Sequence, residues 1–180
     1  MENVILNISD KVEGNDFWVI STESINGSVN NTDGRPFEID KQKIDSNYSE
    51  EEILMINNCV GFNAKFDLGF YAMCNREIDH KILGELTLYI AEKFDGLIDF
   101  GGAIFPYQSL PNKMKEGMWL WEQANWTDIK PYFDEMVGKI GGKIFTIEYE
   151  TGNNRNWVYH LCDAEFMRNW LQNKNFGMIK

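Results

Sequence analysis

His160 and Cys162 stand two residues apart in the stretch WVYHLC, whose apolar character reads as a β-strand. On a strand that spacing turns both side chains to one face, the arrangement a thiol nucleophile and its base would need. Two considerations pull the other way. Neighbours on one strand face stand ~6.6 Å apart along the chain, beyond a direct hydrogen bond, and half-buried histidines and cysteines are ordinary in strands. A metal fares no better. His80 is the only other histidine, and Cys59, Cys74 and Cys162 are scattered rather than paired, so no zinc-ligand spacing occurs. Set among apolar residues and odd in number, the three read as core thiols of a reducing compartment. No metal or cofactor is expected.

Among the carboxylates, Glu85 and Asp99 are singled out because they lie within the central segment Asp79 to Phe105. Asp99, between Ile98 and Phe100, would suit a raised-pKa acid at the C-terminal end of a strand. The plainer expectation is that it faces solvent or accepts from the amides of Gly101 and Gly102 just after it. The glycine runs at 101–102 and 138–142 lack the lysine-serine or lysine-threonine ending of a phosphate loop and read as turns. One cluster suits recognition. Met118, Trp119, Trp121 and Trp126, joined by Tyr107, fall in a pattern-poor stretch broken by Pro106 and Pro111. Tryptophans in such a loop either anchor a partner or fill the space where a long connection crosses a sheet.

Charge narrows the partners. Lysine and arginine number 17 against 28 acidic residues, a net charge of −11. That repels DNA, RNA and anionic lipid and attracts basic proteins. No basic region followed by a long apolar stretch opens the chain, and nowhere do 18 apolar residues run together. The expectation is a cytoplasmic protein that binds neither nucleic acid nor membrane.

The elements that must position these residues can be read in order. Val4 to Ile8 and Phe17 to Ile20 flank the turn-prone EGND and predict a hairpin, and Ser24 to Gly34 is a loop rich in Gly, Asn, Asp and Ser. Pro36 to Ile39 reads as a returning strand. Ser49 should cap a helix over EEEILMINNCV, its acids placed where the helix dipole favours them. Gly61 to Cys74 alternates apolar and polar, predicting a strand. At ~3.3 Å per residue it would be unusually long, so a bend or bulge is expected near Gly69. Ile82, Leu83, Leu86, Ile90 and Phe94 form one helical stripe, with Asp79 as N-cap and Gly96 as the left-handed stop, before the short run Leu97 to Phe100. Thr127 should cap a helix carrying Phe133 and Val137, with Pro131 in its first turn. Ile144 to Glu148 and Trp157 to Leu161 flank a TGNNRN hairpin loop, and Asp163 should cap a last helix burying Phe166, Met167, Trp170 and Leu171.

Two stretches, DHKILGELTLYIAEKFDGLIDFGG at 79–102 and WVYHLCDAEFMRNWLQNKNFGMIK at 157–180, resemble a family of small soluble bacterial proteins of unknown function and about this length. The resemblance brings no activity or catalytic residue with it. In size and charge the chain is also similar to immunity proteins that neutralise toxins. The fold expected is a single α+β domain over 1–180, with a mainly antiparallel sheet covered by helices. The function expected is acidic, non-enzymatic protein binding, with Trp119, Trp121, Trp126, Tyr107 and Asp99 as binding residues. The alternative is a small ligand-binding or hydrolase-like enzyme using Asp99, His160 or Cys162.

Overall fold

The computed structural model describes residues 11–13, 16–19, 37–44, 48–72, 76–117, 125–151 and 155–178. The chain divides into two compact units, Met1–Gly96 and Leu97–Ile179. The α+β class and the antiparallel pairing are as expected, but the strands form two sheets, where one was expected.

In the first unit, β1 (Lys11–Glu13), β2 (Asp16–Val19), β3 (Phe37–Lys43) and β4 (Phe66–Tyr71) lie in that order, each antiparallel to the next. The EGND hairpin closes with Glu13 opposite Asp16; Val4 to Ile8 and the 24–34 loop lie outside the described residues. Helix α1 (Glu50–Val60) starts where the sequence put it. Ser49 Oγ accepts from the Glu52 amide at 3.3 Å, and the Glu52 carboxylate accepts from the Ser49 amide at 2.8 Å. This reciprocal cap holds the Glu52 carboxyl below the usual range. Gly61, at φ 82°, ends the helix, its amide bonded to the Asn57 carbonyl.

The predicted 61–74 strand is corrected to the six residues of β4. Its register with β3 runs from Lys43 opposite Phe66 to Glu38 opposite Tyr71 without interruption, so there is no bulge at Gly69. The excess length is removed by a later start. Residues 62–65 leave the helix end instead, and Phe62 and Phe66, which alternation placed on one parity, are exposed. Gly69 has a different use: a Cβ there would come within 2.8 Å of the Tyr71 ring.

Helix α2 (Glu77–Phe94) buries Ile82, Leu83, Leu86 and Ile90 as its stripe predicts, together with Gly84, Thr87 and Ala91. Its caps shift by a residue or more. Arg76 is the N-cap, and Asp79 sits in the first turn, its carboxylate accepting from the Arg76 amide at 3.0 Å and pairing with the guanidinium at 2.7 Å. At the far end the left-handed residue is Asp95, φ 50°, and both it and Gly96 donate to the Ala91 carbonyl.

The second unit holds β5 (Ile98–Asp99), a 3-10 turn (Tyr107–Ser109), α3 (Asn112–Gly117), α4 (Trp126–Val137), β6 (Ile144–Thr151), β7 (Arg155–Cys162) and α5 (Ala164–Trp170). The sheet order β5-β7-β6 puts β7 in the centre, with Cys162 opposite Ile98 on one side and Ile144 on the other. Helix α4 begins earlier than predicted: Asn125, rather than Thr127, is the cap, its side chain accepting from the Thr127 amide at 3.3 Å. Pro131 consequently falls in the second turn. Asp163 caps α5 as expected, Oδ1 accepting from the Phe166 amide at 2.8 Å and from the Lys143 amide at 3.0 Å. Gly142, at φ 94°, packs so closely on this helix start that a Cβ would run into the backbone of Phe166.

Candidate functional site

The residues with chemical potential gather on and around β7. His160 is fully buried, with Val158 and Cys162 on the same strand parity. Its main chain is held by the Phe100 amide at 3.1 Å and the Gly102 carbonyl at 3.2 Å. Its ring is held more firmly still. The Ile104 amide donates to Nδ1 at 2.9 Å, the Phe133 ring of α4 stacks on the imidazole with centroids 4.3 Å apart, and Trp126 lies 5.3 Å away. Because Nδ1 accepts, the proton of the neutral ring is on Nε2. That nitrogen and the indole Nε1 of Trp126 are buried without a hydrogen-bond partner.

Burial shifts both groups away from the protonation states that nucleophilic chemistry needs. Burial pushes the His160 imidazole down to about 4, and protonating it would set a second donor against the Ile104 amide. Burial, followed by the nearby carboxylates of Asp163 and Asp99, pushes the Cys162 thiol up. An activated cysteine needs the reverse: a thiolate beside a base that accepts its proton near neutral pH. Among the described residues no group of three or more His, Cys, Asp or Glu could hold a metal ion, and no helix is long and apolar enough to cross a membrane.

Of the other predicted residues, Asp99 and Trp126 border this cluster and Tyr107 is at the surface. Asp99 Oδ1 accepts from the Gly101 amide at 2.7 Å, the turn geometry that the glycines imply. Tyr107 is 54% exposed, with the Lys115 ammonium 5.5 Å from its ring centroid. Trp126 is corrected from loop to helix: the Asn125 cap makes it the first residue of α4, where it is only 2% exposed and meets Phe133 edge-on at 5.2 Å. It is part of the core. Trp119 and Trp121, with Met118, lie outside the described residues. Glu85 is half-buried on α2, with Oε2 unpartnered. Cys59, read as a core thiol, is exposed on α1.

Helix α1 carries what the sequence reading missed. Ile56 is its one buried residue, while Leu54 is 61% and Met55 38% exposed. Glu51, Leu54, Met55 and Asn58 follow one another at steps of three, one and three, which stacks them in a single outward ridge. The signal was present as a helical wheel: Ile53, Ile56 and Val60 share one side and Leu54 and Met55 fall opposite.

The whole chain, residues 1–180, matches the family model of DUF6368, a family of unknown function. The chain belongs to DUF6368. Membership agrees with the resemblance carried by 79–102 and 157–180. No curated protein and no solved structure matches this DUF6368 chain.

Proposed function

We propose that this DUF6368 chain is a non-enzymatic, acidic protein-binding domain of a cytoplasmic bacterial protein, and that its partner is a basic protein such as a toxin, which it neutralises in the manner of an immunity protein. The observation that carries the reading is the net charge of −11. Glu50, Glu51, Glu77, Asp128, Glu135, Glu148 and Glu150 are among the acids that stand exposed. A surface of that sign accelerates encounter with a positively charged protein and repels phosphate backbones. The burial of His160 and Cys162 weighs against the enzymatic alternative built on Asp99, His160 or Cys162.

The test is capture from the native host at low and high salt. The screening length falls from about 10 Å at 0.1 M to ~3 Å at 1 M salt, so capture steered by exposed carboxylates should weaken sharply across that range. A partner of basic charge lost at high salt supports the reading. Absence of a basic partner at either salt, or a turnover that Cys162→Ser abolishes with the fold intact, overturns it.

A further inference from the structure

We propose that the outward ridge of α1 is the element that docks the partner, with Leu54 and Met55 entering an apolar groove whose rim carries lysine or arginine. The inference rests on the acidic protein-binding reading and gives that reading a surface. Single exposed apolar residues are common and mean little. Here Leu54 and Met55 are adjacent on one ridge, Cys59 is exposed a turn beyond Met55, and Phe62, 44% exposed, follows the helix end. Met55 and Cys59 stand at i and i+4, an interval at which a helix laid in a groove places its anchors, with Leu54 beside them.

Charge specifies what the groove must look like. From Glu50 to Val60 the helix has three acids and no cation, and the first lysine after it is Lys65. The acids of the first turn offset the positive end of the helix dipole, while the last turn holds no basic residue to offset the negative end. Glu51 lies on the ridge itself, and both ends of the helix therefore favour cations beside it. An anionic lipid or nucleic acid is disfavoured at every point along it. A second copy of the chain would bring another net charge of −11 to the same place.

The helix is also prepared for docking. Ser49 and Glu52 close its start and the left-handed Gly61 closes its end, so the ridge is ordered before it meets a partner and little ordering remains to be done on binding.

The test places a photo-crosslinking residue at exposed position 58 on the ridge and, in a separate full-length chain, at exposed position 135 on α4, each expressed in the native host. The protein joined to each is identified by mass spectrometry, purified, and its affinity measured for the wild-type chain, Leu54→Asp and Glu51→Lys. Expected is an adduct at position 58 with a protein of net positive charge, an affinity loss of about tenfold or more for Leu54→Asp, and a smaller loss with reduced salt dependence for Glu51→Lys. Leu54→Asp is the decisive variant. It adds a negative charge, so purely electrostatic capture would tighten, and Leu54 is exposed enough that the fold is not at stake. Unchanged or tighter binding by Leu54→Asp overturns the proposal. An adduct with a basic protein only at position 135 overturns the ridge and leaves the acidic-binding reading standing. An adduct between two copies of this chain overturns the proposal in favour of self-association. An acidic partner, or no adduct at either position, overturns both.

Discussion

Acidifying the protein should unlock the second unit through His160. In the folded chain this imidazole protonates only near 4, against an ordinary value of 6.5. Above about 6.5 neither the folded nor the unfolded form holds the proton, and the residue has no pH effect. Between the two values the unfolded chain takes up a proton that the folded chain refuses, so each step down in pH favours unfolding. The gap between about 4 and 6.5, at ~1.36 kcal/mol for each pH unit, comes to about 3 kcal/mol once the pH is below both values. That is a large part of the ~5 to 15 kcal/mol typical of a whole domain. Urea melts of the wild type and of His160→Asn, taken near neutrality and again near pH ~4.5, isolate the effect from that of the many carboxylates. The amide oxygen of asparagine keeps an acceptor for the Ile104 amide but does not titrate. The wild type should lose about 2 to 3 kcal/mol more than the variant between the two conditions. Equal losses would refute the reasoning, as would an NMR titration of His160 in the folded protein centred at its ordinary value.

Three further outcomes follow from particular packing arrangements. Leu86 of α2 is fully buried, so Leu86→Ala should lower stability by ~2 to 5 kcal/mol through lost burial and a residual cavity; an unchanged thermal midpoint would remove α2 from the core. Gly142→Ala should be far more damaging in a denaturant melt than Gly101→Ala. Both have positive φ, 94° and 68°, but only Gly142 has backbone in the path of a Cβ, and equal effects would mean that the close approach to α5 does not exist. Thiol labelling should modify Cys59 in the native protein and Cys162 only after denaturation, given their exposure; native labelling of Cys162 would show the β7 cluster to be open.

What could be read from the sequence was mostly local. Ser49 and Asp163 were identifiable as caps because the amides they satisfy are three residues away. The pairing across 151–155 was marked by turn residues between apolar runs, whereas the first hairpin was read with an arm at 4–8, outside the described residues, and the strand paired with β2 is Lys11–Glu13. Near-misses came where two neighbours could do one job. Asp79 and Arg76 both stand at the start of α2, and the carboxylate serves it from the first turn, by reaching back to Arg76. The alternation at 61–74 recorded a two-residue period but could not say which side would be covered, and Phe62 and Phe66 ended outside. Trp126 was drawn into the core by an Asn125 cap that competes with Thr127. The environment of His160 was beyond reach for another reason: its partner amide, Ile104, is 56 positions away, and only the folded sheet brings them together.

Asp163 Oδ1 serves two amides, that of Phe166 inside α5 and that of Lys143 at the threshold of β6, and the Asp163 amide returns a bond to the Lys143 carbonyl at 3.0 Å. Fraying of the helix from its first turn therefore loosens the hold on the residue that leads into the edge strand, and movement of Lys143 takes a bond from the helix cap. Helices usually open at their ends and edge strands at their margins, each on its own. Here the two margins share one carboxylate, so opening at either one gives up a bond that also serves the other.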